Sequence, residues 1–446
     1  MKKNFSNIVV KENSSISAII KKINQNGKNG VFVSNKKKRI VGIITDADIR
    51  KQLLQDKILV NQKAASIMEK NFYSIPFSKR NEKKKLLLES NKILIPILEN
   101  NFLKDFAHLS DIMRKKNSIK KKILLIGGLG YIGSVLIDHL LKKNYLVNIL
   151  DINFYGCNLS KKTLKNPALK IFYGDCNNLK KLRKAIKGCT DVIHLGEIVG
   201  DPAVSLDRNF SIKNNYESTV AVVSECLKNK IDKFIFASSC SVYGSSKKEC
   251  SEKSKLNPVS LYARCKIECE KTILSFKNNR FCPVILRLST VYGDSPRKRF
   301  DLVVNRFILM AIKKIKINLF GGSSWRPFVS VNDVSRAILK ILTSKNGVVS
   351  RQIFNLGGDK ENYRIKDIIN EIKKKTKVNF KITKQADDKR NYKVSFKKIQ
   401  KKINFQPKDN LKKSITELLK KYKKRKINIS NINYYNDKKI SKILVN

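Results

Sequence analysis

The sequence lacks the features that mark secreted and membrane proteins. Its nine cysteines are odd in number, none lies in the first 156 residues, and no two are spaced as Cys-x-x-Cys. This distribution excludes a disulfide framework and a structural zinc site and is typical of a reducing compartment. The first residues contain no continuous apolar segment, and no run approaches the roughly 18 apolar residues that cross a bilayer. We therefore expect a soluble, cytoplasmic protein with no bound metal.

Acidic residues are also scarce, with 36 Asp and Glu against 94 Lys and Arg, which gives a net charge of +58. Such an excess attracts nucleic acid or an anionic membrane whatever its sequence. The excess is largely Lys, however, accompanied by abundant Asn and Ile and spread from end to end, as compositional drift on solvated surfaces would produce. No nucleic-acid-binding motif is present. We interpret the charge as compositional and expect no specific nucleic-acid or membrane partner, with polyanion binding as the alternative.

The length of 446 residues predicts two or three domains, and 41% hydrophobic residues are enough to bury their cores. Residues 1–115 alternate short β-rich and helical runs, and the basic segment 116–122 suits a linker. Regular strand–helix alternation runs through 123–425, and its apolar strands indicate a parallel sheet covered on both faces. A basic tail, 426–446, follows, for which we expect little order.

A glycine-rich loop opens the third zone. Residues 127–133 read Gly-Gly-Leu-Gly-Tyr-Ile-Gly, directly after a predicted strand and before a helix, and Asp151 follows the next strand. In this context Gly127 permits the tight turn, Gly130 lets the backbone approach a pyrophosphate, and Gly133 lets the helix pack closely. The pyrophosphate would lie at the positive end of the helix. Asp151 would bind the adenosine ribose and repel a 2′-phosphate, which favours NAD over NADP.

Three side chains form a candidate catalytic set. Tyr262 and Lys266 are four residues apart on a predicted helix, so that both lie on one face. A neighbouring ammonium favours the phenolate, so we expect it to lower the pKa of the tyrosine. Ser239 stands at the end of a predicted central strand, where ligands of open α/β sheets bind.

The order of glycine loop, Ser239, Tyr262 and Lys266 resembles the extended short-chain dehydrogenase/reductase family over about residues 122–425. Within that family the resemblance is to nucleotide-sugar epimerases and dehydratases. It implies a Rossmann-like, doubly wound α/β parallel sheet with a small C-terminal substrate lobe, bound NAD, a nucleotide-sugar substrate and a homodimer. The cofactor contacts that it implies are made by Gly127, Gly130, Tyr131, Ile132, Gly133, Asp151, Asp175, Cys176, Leu195, Asn215, Tyr262 and Lys266. The substrate contacts that it implies are made by Ser239, Thr290, Arg326 and Arg390.

The chain departs from the family pattern at a few positions. Glu197 stands where alanine is usual, and Thr290 replaces an asparagine that contacts substrate. The 4,6-dehydratases carry an acid after the catalytic hydroxyl residue, but here those positions are Cys240 and Ser241, and we expect Cys240 to be packed. The resemblance therefore favours epimerisation at C4 through a 4-keto intermediate. A dehydratase or 4-keto reductase is the alternative, and a polyanion-binding sensor is a weaker one.

The first zone contains an internal repeat. Residues 42–49 can be laid on residues 105–112, so that Asp48 pairs with Asp111 while Thr45 becomes a histidine. The zone resembles an α+β pair of CBS domains whose second copy is degenerate. In that family a Thr and an Asp hold the ribose and phosphate of an adenine nucleotide, which assigns Thr45 and Asp48 to a regulatory nucleotide site. A dimerisation clamp with an empty cleft is the alternative.

Overall fold

The computed structural model describes six stretches of the chain. These stretches are residues 5–54, 62–109, 121–276, 280–320, 322–383 and 390–445. The chain divides into two compact units, Met1–Ile119 and Lys120–Asn446, called here the N-terminal and C-terminal units. Of the linker predicted at 116–122, only the last two residues lie within these stretches. None of the helices in the six stretches is long and apolar enough to cross a membrane.

The N-terminal unit repeats one strand–helix–strand–strand arrangement. The first copy consists of β1 (Val9–Lys11), the helix Ile16–Asn26, β2 (Gly30–Ser34) and β3 (Ile40–Thr45). The second consists of β4 (Ile75–Pro76), the helix Lys83–Glu89, β5 (Leu94–Glu99) and β6 (Phe102–His108). In both copies the first strand is parallel to the second and the second is antiparallel to the third. The strand and helix order is thus the same in both copies, in agreement with the repeat in the sequence. Asp111, the position in the second copy that was aligned with Asp48, lies outside the described residues.

Thr45 and Asp48 form a capping box at the start of the helix Asp46–Leu53. The Thr45 hydroxyl donates to Asp48 Oδ2 over 2.6 Å, and the Thr45 backbone N–H donates to the same oxygen over 2.7 Å. The Asp48 backbone N–H in turn donates to Thr45 Oγ1 over 3.4 Å. These bonds satisfy backbone groups that the first turn of a helix leaves without partners. The Thr-x-x-Asp spacing therefore has a structural explanation that needs no ligand.

The C-terminal unit is a mixed α/β structure. The strands of its described part are β7 (Lys122–Ile126), β8 (Leu146–Asp151), β9 (Leu169–Tyr173), β10 (Asp191–His194), β11 (Lys233–Ser239), β12 (Cys282–Leu288), β13 (Thr290–Tyr292), β14 (Ile317–Phe320), β15 (Trp325–Ser330), β16 (Gln352–Leu356), β17 (Asn362–Arg364) and β18 (Phe380–Thr383). Its α-helices of eight residues or more are Gly133–Lys142, Leu179–Ile186, Ser218–Lys228, Leu261–Ser275, Val303–Ile312, Val331–Thr343, Ile365–Lys373, Leu411–Lys423 and Asn436–Val445.

Seven of these strands form a wholly parallel sheet in the order β16-β12-β11-β10-β7-β8-β9. Their apolar residues are buried, and separate hydrophobic clusters pack on the two faces of the sheet. The fold predicted from continuous apolar strands is thereby confirmed. The strand order reverses between β7 and β10, and ligands of such sheets bind outside the carboxyl ends of the strands at that point.

The remaining strands belong to a smaller lobe with a core of its own. β13, β15 and β17 form one sheet, and β14 pairs with β18 in another. Phe300, Phe328, Ile368 and Tyr422 are buried in the core of this lobe. The small C-terminal lobe expected from the resemblance is therefore present.

The tail is more ordered than its composition predicted. The expectation of little order after residue 425 was wrong for the helix Asn436–Val445. Ile440 on this helix is 1% exposed and packs against Ile198, Ala203 and Val204. The composition did not predict this helix, because the helix is stabilised by packing of its apolar side chains on a distant segment rather than by local propensity.

Candidate active site

The glycine loop after β7 is packed too tightly for side chains. Gly127 has φ +75°, and a Cβ there would lie 2.6 Å from the Cα of Gly196. A Cβ on Gly133 would lie 2.6 Å from the carbonyl oxygen of Gly127, so that the following helix can begin only with glycine. Tyr131 turns its side chain towards the small lobe, where its hydroxyl donates to the carbonyl of Gly293 over 2.7 Å. The Tyr131 side chain is therefore turned away from the predicted cofactor site, and only its backbone can make the cofactor contact that was expected.

A cavity of about 730 Å³, including its open mouth, lies at this edge of the sheet. Six of the predicted cofactor residues line it, namely Gly127, Gly130, Asp151, Asp175, Cys176 and Leu195. The structure adds lining residues that the sequence did not single out, namely Leu129, Asn153, Phe154, Tyr155, Ile198 and Asn214. Six predicted cofactor residues do not line the cavity, namely Tyr131, Ile132, Gly133, Asn215, Tyr262 and Lys266.

Asp151 is positioned as the acid at the end of β8. Its Oδ2 accepts the backbone N–H of Leu129 over 2.9 Å, and its Oδ1 accepts that of Asn153 over 2.7 Å. Desolvation raises its pKa above the usual value, and the two backbone N–H groups work against that rise. The carboxylate thus faces the cavity beside a backbone loop with room for phosphates. This donor and acceptor set fits NAD.

Asn215 holds the loop after β10 in place with two hydrogen bonds. Its Oδ1 accepts the backbone N–H of Ile198 over 2.8 Å, and its Nδ2 donates to the carbonyl of the same residue over 2.9 Å. Asn215 lies in a π-helical turn, Lys213–Glu217, which places its neighbour Asn214 at the cavity. The geometry makes Asn215 a positioning residue that fixes the loop 195–200.

The three candidate catalytic side chains converge beside the cavity. Ser260 caps the helix Leu261–Ser275 by accepting the backbone N–H of Ala263 over 3.2 Å, which fixes where that helix begins. The Ser239 hydroxyl lies close enough to the Tyr262 phenol to lower its pKa. The Lys266 ammonium lies 5.6 Å from the ring centre of Tyr262 on the same helix face, as the spacing predicted.

The charges around Tyr262 differ from the sequence expectation. Desolvation and the Asp201 carboxylate raise the pKa of Tyr262, whereas Arg299 and the Ser239 hydroxyl lower it. The lowering expected from Lys266 is not among the effects on Tyr262, where desolvation is the largest cause. Burial also disfavours the charged form of Lys266, and so it lowers the pKa of that ammonium. Its ammonium contacts Glu197 Oε2 and the carbonyl of Ala237.

Two of the predicted substrate residues are linked to Tyr262 through other side chains. Arg390 pairs with Asp201 over 2.8 Å, and Asp201 acts electrostatically on Tyr262. Arg326 lies 5.5 Å over the ring of Tyr392, which also affects Tyr262. Thr290 lies in β13 beside Phe328 of β15, where no hydrogen bond links it to this group. Asp388 and Lys389, which precede Arg390 in the motif, lie outside the described residues.

Sequence reasoning missed Asp201, Arg299 and Tyr392 as neighbours of Tyr262. Each comes from a different segment of the chain, and their spacing along the sequence does not indicate that they approach Tyr262. Cys240 was assigned correctly, since it is 1% exposed with its thiol 3.2 Å from the carbonyl of Arg287. All nine cysteines lie in the described part of the chain and are free thiols.

A second buried network joins the catalytic helix to the sheet. Glu270, one turn after Lys266, accepts two hydrogen bonds from Arg287 of β12 over 3.0 and 2.6 Å. It also accepts the Ser238 hydroxyl over 2.5 Å. The Glu270 and Arg287 side chains are 4% and 3% exposed. The pair therefore sets the height of the helix against β11 and β12, and with it the distance from Tyr262 to Ser239.

Comparisons with known proteins agree with this geometry. Residues 123–357 match the NAD dependent epimerase/dehydratase family, and residues 1–55 match the CBS domain. A putative UDP-glucose 4-epimerase of Methanocaldococcus jannaschii is 33% identical over 253 residues, which are 54% of this chain and 77% of that protein. An uncharacterised UDP-glucose epimerase of Bacillus subtilis is 32% identical over 249 residues, with coverage of 53% and 77%.

Solved structures extend the comparison. A UDP-glucuronic acid 4-epimerase from Bacillus cereus, in complex with UDP-glucuronic acid and NAD, superposes with a TM-score of 0.59 at 28% identity. The superposition covers 68% of this chain and 99% of that protein. Because the family match spans more than half of the sequence and the cavity suits the cofactor, the chain belongs to the NAD dependent epimerase/dehydratase family.

Proposed function

We propose that the protein epimerises a nucleotide-diphosphate sugar at C4 through a transient 4-keto intermediate. The observation that carries this proposal is the convergence of Ser239, Tyr262 and Lys266 beside a cavity that suits NAD. The names of the similar proteins support a UDP-sugar as substrate, since they include UDP-glucose and UDP-glucuronic acid epimerases.

Each side chain has a role in this chemistry. Tyr262 removes the proton of the C4 hydroxyl and returns it at the end of the cycle. Ser239, whose hydroxyl acts on the Tyr262 phenol, holds the C4 oxygen in line with that phenol. Lys266 binds the nicotinamide ribose and stabilises negative charge on the phenol oxygen. Bound NAD supplies the oxidising and reducing equivalents.

Epimerisation requires the 4-keto sugar to present its other face to the same site. The residues that hold the nucleotide must therefore anchor the diphosphate while the sugar turns. Arg326 and Arg390 suit this task, because guanidinium groups bind phosphate oxygens at two points. Both flank the Tyr262 group through Tyr392 and Asp201.

A 4,6-dehydratase is the second candidate, since a dTDP-D-glucose 4,6-dehydratase of Dictyostelium discoideum is 30% identical over 271 residues. Elimination of water needs an acid at the leaving C6 hydroxyl. Cys240 and Ser241 follow Ser239, and both are buried, with Cys240 facing the core. Neither supplies that proton readily, because burial raises the pKa of Cys240. The epimerase assignment is the better supported one.

The test is incubation of the purified protein with UDP-, GDP-, CDP- and dTDP-sugars and identification of the products by NMR. An epimerase yields the C4 epimer without net change in NADH absorbance. Stoichiometric formation of NADH would indicate a sugar dehydrogenase, and its consumption a 4-keto reductase. A 4-keto-6-deoxy product would indicate the dehydratase.

We further propose that the N-terminal unit binds an adenine nucleotide at Thr45 and Asp48 and that the protein is a homodimer. The CBS match supports the first proposal. The capping box opposes it, because a ligand would have to replace bonds that these two side chains make with each other. Calorimetry of the full chain with AMP, ATP and S-adenosylmethionine tests the nucleotide site. Light scattering after gel filtration tests the dimer.

A further inference from the structure

Glu197 occupies a fixed position at the carboxyl edge of β10. Its side chain is 3% exposed and its residue lines the cofactor cavity. The loop that carries it is held on both sides. Asn215 binds the backbone of the next residue, Ile198, and Gly196 packs against Gly127 with no space for a side chain. Glu197 therefore cannot swing far from the cavity.

The two carboxylate oxygens of Glu197 differ in their surroundings. Oε2 contacts the Lys266 ammonium, while Oε1 is buried and has no hydrogen-bond partner among the described residues. A buried carboxylate oxygen without a donor costs free energy, so a position of this kind indicates a missing donor. The cavity that Glu197 lines fits NAD, whose ribose hydroxyls are donors of the required kind.

The charge of Glu197 has a second consequence. A lone Lys266 ammonium would repel the positive nicotinamide of the oxidised cofactor and leave the neutral reduced form unaffected. The adjacent carboxylate cancels this repulsion, and charge effects between buried side chains are stronger than in water. Of the other titratable groups near Lys266, the Glu270 carboxylate is paired with Arg287, and His194 is neutral because burial lowers its pKa to about 3.

We propose that Glu197 is a cofactor-binding residue that accepts a hydrogen bond from a hydroxyl of the nicotinamide ribose and selects the oxidised form of the cofactor. This inference rests on the role given to Lys266 in the proposed function. It requires no sugar turnover, so it can fail while the proposed reaction stands. It also explains a carboxylate where the family resemblance leads one to expect alanine.

The test measures the dissociation constants of NAD and NADH for the full-length protein, freed of bound nucleotide, by calorimetry. Glu197→Gln should raise the ratio Kd(NAD)/Kd(NADH) about tenfold, because an uncompensated ammonium then faces the nicotinamide. Asp151→Asn is the matched control. It should weaken both forms by the same factor, since the adenosine half is identical in the two oxidation states.

A conservative variant guards against misfolding. Glu197→Asp keeps the charge on a shorter side chain, so it should weaken both forms while leaving the ratio within about twofold of the wild type. Equal weakening of NAD and NADH by Glu197→Gln, or no change in either constant, would overturn the proposal and reduce Glu197 to a structural partner of Lys266. A ratio that moves in the opposite direction would overturn it as well.

Discussion

At the scale of single residues, Tyr262 is the group whose removal should be most selective. Tyr262→Phe deletes only the phenol hydroxyl beside Ser239, so turnover should fall by about 10²- to 10⁴-fold. NAD affinity measured by calorimetry should stay within about twofold, because the ring remains. Tyr73→Phe makes the same change at a tyrosine that is 44% exposed in the N-terminal unit and should leave activity unchanged. Retention of more than a few per cent of activity by the Tyr262 variant would show that the proton acceptor is another group.

Residues of the site differ in how far the sequence predicted them. Gly127, Asp151 and the Tyr262–Lys266 pair were predictable, because short-range spacing fixes their geometry on a turn, a strand end and a helix face. Asp201 and Arg299 were not, since their approach to Tyr262 depends on contacts between distant segments of the folded chain. Short-range sequence spacing does not predict contacts between residues that are distant in the chain.

At the scale of elements, the ion pair between the catalytic helix and the sheet predicts a large effect on stability. Glu270→Ala leaves the Arg287 guanidinium buried without a counter-charge, which should cost about 3–5 kcal/mol of unfolding free energy. Urea denaturation measures that loss. Glu268→Ala is the control on the same helix, because its ion pair with Lys271 is more than half exposed and should contribute less than about 1 kcal/mol. Comparable losses for the two variants would mean that the buried pair does not anchor the helix.

The helix Asn436–Val445 supports a different prediction. Ile440 is buried against Ile198 and Val204, and Tyr262 packs at the edge of the same cluster. Ile440→Asp should detach the helix and reduce kcat/KM for the sugar nucleotide about tenfold or more, while NAD affinity changes little. Ser441→Asp places the same charge on the exposed neighbouring position and should have no such effect. Wild-type kinetics for the Ile440 variant would show that the helix does not contribute to the site.

Strands and tail illustrate what can be predicted at this scale. The central strands of the large sheet were recognisable because they are buried on both faces and therefore mostly apolar, as β7, β10 and β12 are. The tail helix was hidden because it is surrounded by lysines and owes its order to a surface that only the folded C-terminal unit provides.

At the scale of the whole molecule, the net charge of +58 predicts weak, unspecific attraction to polyanions. Binding of duplex DNA, followed by fluorescence anisotropy, should fall steeply with salt and be lost by about 0.15 M. Sequence-dependent binding that persists at physiological salt would contradict the interpretation of the charge as compositional. It would favour the alternative that the protein binds polyanions.

The path of the chain through the C-terminal unit bears on how that unit folds. The edge strand β16 joins the large sheet only after β13, β14 and β15 have passed through the small lobe, and β17 then returns to that lobe. Neither the sheet nor the lobe is a continuous stretch of chain, so neither can be completed before most of the other has been synthesised. Sheet and lobe should therefore unfold together, as one cooperative transition, whereas each strand–helix–strand–strand copy of the N-terminal unit is a contiguous stretch of the chain.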